Sequence, residues 1–264
     1  MAEDVTTSTD AAAPSPRAVA PHRFRFSLIY GGLGLVLAGA IVVVVLYAGR
    51  SISPGPTWSS WKPTGGGEGA AKQIAEHVGG TYRLSSGDQL VTVIAKAPAV
   101  SPASTVSIPI HFVVINDKKG RTNQVYPISS SNSIMYSLCG LGASCAIATG
   151  KPSVARGTLV RREILELALY TFKYVGGVNS VIAFMPPALG TQPKYVVYIQ
   201  KSDVKPQLKT PLGETLGKKV PLPATIPARE VQTIDSVTES RVFSFSLSQA
   251  QQGDAILVLA PLAA

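Results

Sequence analysis

The sequence predicts an α+β protein: an N-terminal transmembrane helix followed by one mixed α/β extracytoplasmic domain containing a βαβ unit and hairpins. Three observations predict it. Residues 28–49 (LIYGGLGLVLAGAIVVVVLYAG) form a 22-residue run without a charge. Residues 134–185 read as strand, long amphipathic helix, strand. The rest of the 264-residue chain alternates short β-branched runs with Gly-, Pro- and Asp-rich turns, the mark of a sheet with helices packed on it.

The organisation follows from these. Residues 1–26 carry three acids and three arginines among Ala, Thr, Ser and Pro. So little apolar material cannot form a core, and the head reads as disordered and cytoplasmic. Residues 27–49 read as the span. As a helix the apolar run is about 33 Å long against a hydrocarbon core of about 30 Å. Arg17, Arg23 and Arg25 precede it and Arg50 and Lys62 follow, so the positive-inside bias places the head in the cytoplasm. The run is longer than a signal-peptide core, and Leu46-Tyr47-Ala48 is a poor cleavage site. Tyr30 and Tyr47 sit near the two ends, where amphipathic rings favour the membrane interface. Gly34 and Ala38 form a small-xxx-small pair, common in spans and no proof of association.

Residues 50–67 read as a Pro/Gly linker. They hold Trp58 and Trp61, the two tryptophans, with two settings open: the membrane interface or the domain surface. GGGEGAAK lacks the ending of a phosphate loop and a preceding strand, so it reads as linker and helix start. The domain is 68–264. Glu68 to Val78 reads as a helix with Ala71, Ile74, Ala75 and Val78 on one face, ended by Gly79-Gly80. Thr81–Leu84 and Gln89–Lys96 flank SSGD as a hairpin. Val106–Ile115 is a strand in which Pro109 implies an edge or a bulge. Asn123–Ile128 and Ile134–Leu138 are further strands.

Ser153 is the candidate N-cap of the strongest helix, VARGTLVRREILELALYTFKYV, which ends at Gly176-Gly177. Its broad apolar surface suits packing on a sheet, with Arg162 and Glu166 on the polar side. Ser180–Met185 and Lys194–Gln200 read as strands, and 134–185 as a βαβ unit. The proline-rich stretch 202–226 reads as irregular, Ala228–Glu239 as a helix, and Arg241–Leu247 with Ala255–Leu259 as a closing hairpin.

Chemistry is harder to find. Cys139 and Cys145, the only cysteines, lie in CGLGASC, and outside the cytoplasm a disulfide is expected. Closing that loop contributes about 2.4 kcal/mol on the chain-entropy estimate. A zinc site lacks further ligands. His77 ends a helix and His111 lies mid-strand; neither has the spacing of a metal ligand. Ser59 and Lys62 spell SxxK within a linker, not at the rigid helix start a serine nucleophile needs. Glu163 and Glu166 are the nearest carboxylate pair and read as solvated helix-face charges rather than a glycosidase pair. Lys118, Lys119 and Arg121 with Asp117, and Lys218 with Lys219, read as basic turns. The sequence therefore points to no catalytic, cofactor-binding or metal residue.

Charge bounds the partners. The head is neutral, so the whole +9 lies in 50–264, with 21 Lys and Arg against 12 Asp and Glu. That balance suits anionic envelope polymers or protein partners as well as simple solubility. It does not suit nucleic acid on the far side of a membrane. The stretches WSSWKP, CGLGASC and RREILELALYTFKYV, the last followed by a strand ending in Pro-Pro, resemble single-pass envelope proteins of the high-GC Gram-positive bacterial kind. The resemblance implies a plasma-membrane location and no activity. The expectation is a membrane-anchored, non-catalytic binding or scaffold protein of the cell envelope. The alternatives are an extracytoplasmic ligand-sensor subunit and an envelope hydrolase without a recognisable motif.

Overall fold

The computed structural model describes Ala40 and residues 57–100, 107–117, 123–250 and 253–262. The apolar run 28–49, with Tyr30 and Tyr47, lies outside them apart from Ala40, as does the basic turn at Lys118, Lys119 and Arg121. Among the described residues no helix is long and apolar enough to cross a membrane. The chain divides into two compact units, Met1–Gly55 and Pro56–Ala264, and the second has a mixed α/β fold.

Among the described residues nine strands make one mixed sheet: β1 (Thr92–Lys96), β2 (Ala99–Val100), β3 (Ile108–Asn116), β4 (Asn123–Pro127), β5 (Ser133–Cys139), β6 (Ser180–Phe184), β7 (Tyr195–Gln200), β8 (Val242–Gln249) and β9 (Ala255–Pro261). The order is β1-β5-β6-β7-β8-β9-β3-β2, with β4 also paired to β3. The β5–β6 and β3–β9 pairs are parallel and the others antiparallel. The first parallel pair confirms the βαβ unit. The second joins a strand from early in the domain to its last strand. The register of β3 against β9 slips between Ile110 and Phe112, beside Pro109, whose missing N–H cannot complete a regular ladder.

The sheet rolls until it is nearly closed. The rings of Tyr126 on β4 and Tyr198 on β7 come within 5.8 Å of each other. Side-chain alternation then creates two cores. Inside the roll, Ile110, Val113, Met135, Ile182, Val196, Tyr198, Leu257 and Leu259 pack together. The opposite face of β1 and β5–β7 presents Ile134, Tyr136, Val181, Ala183, Val197 and Ile199 to the helices.

The helices are α1 (Gly67–Gly79), α2 (Val154–Tyr174), α3 (Lys205–Lys209), α4 (Leu212–Thr215) and α5 (Ala228–Thr238). Ser153 caps α2, its side chain accepting the Arg156 backbone N–H at 3.2 Å. Gly177 ends the helix segment with a φ of 83°, a conformation L side chains rarely adopt. The Tyr136 and Thr171 hydroxyls meet at 2.7 Å and tie β5 to α2.

Three expectations change here. The 81–96 hairpin reduces to a single bridge between Arg83 and Gln89, because β1 pairs with β5 instead. The stretch 202–226 is not irregular: it holds α3, α4 and a 3-10 turn at Pro223–Thr225. The linker reading of 57–66 yields to packing, since Trp58 and Pro63 are buried and the Thr64 N–H donates to Gln73 on α1.

The Cys139 and Cys145 sulfurs are bonded, 2.07 Å apart, at the end of β5. Gly140 makes that loop: a Cβ there would lie 2.2 Å from the Ala146 carbonyl oxygen, so only glycine permits the close return.

Candidate functional site

The long helix α2 is buried on more sides than its sequence suggests. The sheet covers one side, and α1, α5 and the 201–225 region cover others. Arg162 therefore does not face solvent; it is 1% exposed. A buried guanidinium must be paired, and its planar fork allows several partners at once. Nε donates to Glu230 on α5 at 2.5 Å. Nη1 donates to Glu166 at 3.0 Å and to the Tyr82 hydroxyl, and Nη2 donates to the Leu216 carbonyl. Tyr82 in turn donates to Glu166 at 2.6 Å. One side chain thus joins α2, α5, the turn after α1 and the loop after α4.

The electrostatics follow from burial. It disfavours the Arg162 charge, but Tyr82, Glu166 and Glu230 outweigh it and hold the guanidinium above its ordinary value. Glu230 is raised by burial, partly offset by Arg162. Tyr82 is raised well above its usual value, chiefly by burial and then by Glu166. Glu163, next along the helix, is wholly buried, and among the described residues neither carboxyl oxygen has a hydrogen-bond partner. Burial, then Glu166, pushes its pKa well up, against Arg162. The solvated-pair reading of Glu163 and Glu166 is thus corrected: one is buried in the core with its pKa pushed well up, the other is an ion-pair partner of Arg162.

Above this network opens a cleft of about 760 Å³. Arg162, Glu166 and Tyr170 of α2 form its floor. Trp58 and Ser59 form one wall with His77, and Pro211, Leu212, Gly217 and Val220 form the other; Lys218 and Lys219 stand at the rim. Trp58 takes the domain-packing setting: 9% exposed, it lies edge-on to Tyr170 and Tyr174 at 5.5 and 5.7 Å. Lys173 lies over its ring at 5.5 Å. Trp61 stacks on His77 at 3.9 Å. Burial lowers the His77 pKa against the pull of Glu166, so the ring is neutral at pH 7 rather than the cation its helix-end position suggests.

The remaining sequence candidates are dispersed. The Ser59 hydroxyl meets Tyr174 Oη at 2.9 Å and donates to the Trp61 carbonyl, while Lys62 is exposed. His111 is an exposed residue on β3, with Nε2 3.9 Å from Asp254. Among the described residues no three His, Cys, Asp or Glu side chains gather as a metal site.

Sequence reasoning missed the Arg162 network because its members are far apart: Tyr82 is 80 positions and Glu230 68 positions from Arg162. The available signal was three charges, RRE, inside a helix whose apolar surface is otherwise too wide to leave a polar side. Compared with protein families, curated proteins and solved structures, the chain matches none of them, so the reading of this cleft rests on its own geometry.

Proposed function

We propose that this is a membrane-tethered, extracytoplasmic binding protein of the cell envelope, and that the cleft over Arg162 holds an acidic, partly apolar segment of a protein partner. The observation that carries the reading is the use of the cleft's charged floor. Arg162, Glu166, Tyr82 and Glu230 are committed to one another, so they set the shape of the cleft and are not poised to attack a substrate. The Ser59 hydroxyl is likewise spent on Tyr174 and Trp61. What the cleft offers a partner is apolar wall at Trp58, Leu212 and Val220 and a rim on which Lys218 and Lys219 outnumber one exposed acid, Glu214. Such mixed concave surfaces, with few convergent polar groups, are the usual form of a binding site. The location rests on the apolar run 28–49 and on a net charge of +9 carried after it.

The test is site-specific photocrosslinking in intact membranes. A photoreactive residue at Lys218 should give discrete adducts with a small set of envelope proteins. The same residue at Leu189, exposed and outside the cleft, should give none of them. Identical adducts from both positions would overturn the assignment of the cleft. Turnover of an envelope polymer by the purified chain, abolished by Ser59→Ala, would replace binding with hydrolysis.

A further inference from the structure

We infer that the open end of the rolled sheet is a second binding site, separate from the cleft, for a phosphorylated sugar or polyol. A pocket of about 440 Å³ lies there, lined by Tyr126, Ser180, Tyr198, Gln200, Lys201 and Lys205 among others. It shares no lining residue with the cleft. Its size falls within the range of about 300–1,000 Å³ typical of small-molecule sites.

The chemistry of the lining selects the ligand. Tyr198, 1% exposed, sets its phenol at the pocket, where Gln200 Nε2 is 3.4 Å away. That contact is longer than an ordinary hydrogen bond of about 2.9 Å, so the amide retains capacity for a closer partner, while the phenol is also hydrogen-bonded to Ser180. Ser180 adds a hydroxyl, itself anchored to Ser133 at 2.7 Å. Tyr126 supplies an aromatic flank, 5.8 Å from the Tyr198 ring, suited to the C–H face of a sugar. Hydroxyls and an amide on one side of an aromatic flank recognise a polyhydroxylated ligand.

Charge supplies the second half of the argument. Lys201 and Lys205 both line the pocket, and neither forms an ion pair among the described residues. The acid between them is already spent: Asp203 accepts from Arg241 at 2.8 Å through one oxygen and from the Gln200 N–H at 2.8 Å through the other. Two lysines therefore face the pocket uncompensated. A phosphate monoester, carrying about −1.5 to −2 at pH 7, matches that charge.

The experiment uses the full chain in detergent micelles and glucose 6-phosphate as the probe, followed by equilibrium dialysis. Saturable binding is expected, with inorganic phosphate and glucose each weaker by about tenfold or more, because each supplies only half of the recognition. Lys201→Gln with Lys205→Gln should weaken the probe by about tenfold or more, and Tyr198→Phe by a smaller factor. Lys218→Gln with Lys219→Gln, at the cleft rim, should leave it within about twofold. Competition by phosphatidylcholine vesicles containing phosphatidylinositol 4-phosphate, a polyol headgroup with a phosphate monoester, but not by phosphatidylcholine vesicles alone, would identify a lipid headgroup as the source. Absence of competition would identify a soluble or polymeric glycan. No saturable binding overturns the proposal. So does equal affinity for inorganic phosphate, or undiminished binding by a folded Lys201→Gln/Lys205→Gln variant. None of these outcomes bears on the crosslinking at Lys218.

Discussion

Arg162 and Glu163 are neighbours on one helix, both buried, and they meet burial in opposite ways. Arg162 keeps its charge and is satisfied by three side chains and a carbonyl. Removing one partner from such a buried pair typically costs about 3–5 kcal/mol, because the other charge is left unpaired. Glu163 has no hydrogen-bond partner among the described residues, and burial raises its pKa well above the ordinary carboxylate value. Its sign follows directly. The folded state binds the Glu163 proton more tightly than the unfolded state, where the ordinary value of 4.5 applies. Its contribution to stability is therefore fully present below pH 4.5 and is lost as pH rises toward the raised folded value. Glu163→Met, close in volume and without polar atoms, should stabilise the domain at pH 8, by about 1–3 kcal/mol. At pH 4 the gain should be clearly smaller. Urea midpoints of both proteins at the two pH values decide it, and an equal gain at both would show that Glu163 does not titrate through this window.

At the scale of elements, α2 organises the molecule. It fills the crossover between the parallel strands β5 and β6, and its remaining sides are covered by α1, α5 and the α3 region. Leu167 is fully buried, whereas Val154 at the first turn is 87% exposed. Leu167→Asp should cost several kcal/mol against a total of about 5–15, and folding should largely fail. Val154→Asp should be neutral or slightly stabilising, since an acid at a helix N-terminus faces the positive end of the dipole. Limited proteolysis separates the two variants; equal resistance would refute the central position of α2. Lys173, though polar, would not serve as the neutral control, because its Nζ donates to the Leu208 carbonyl at 3.2 Å and lies over Trp58.

At the scale of the whole molecule, location and charge set the argument. The span proposed at 28–49 follows a head with three arginines, and the whole excess of positive charge follows the span. The C-terminus should therefore lie outside the cytoplasm, with the basic domain facing envelope anions. A reporter active only outside should work when fused after Ala264, and one active only in the cytoplasm should not. The reverse pattern would remove the envelope from the functional reading, while the geometry of the cleft and of the second pocket would stand.

Local signals in the sequence determined the elements. Periodicity and a Ser153 cap marked α2, short apolar runs bounded by turn residues marked β5 to β9, and the spacing of Cys139 and Cys145 with Gly140 between them marked the disulfide loop. These signals sit within a few residues of what they specify, because hydrogen-bonded turns, caps and side-chain alternation are local. Only the tertiary structure decided the strand order, the parallel pairing of β3 with β9, the burial of Arg162 and Glu163, and the two pockets. The same pattern of charges on α2 would be solvated if one face were free. It is buried because a second layer of helices closes over it, and the partner that makes a buried Arg162 tolerable, Glu230, is 68 positions away. Long-range packing decides which charges stay in water, and no local pattern encodes it.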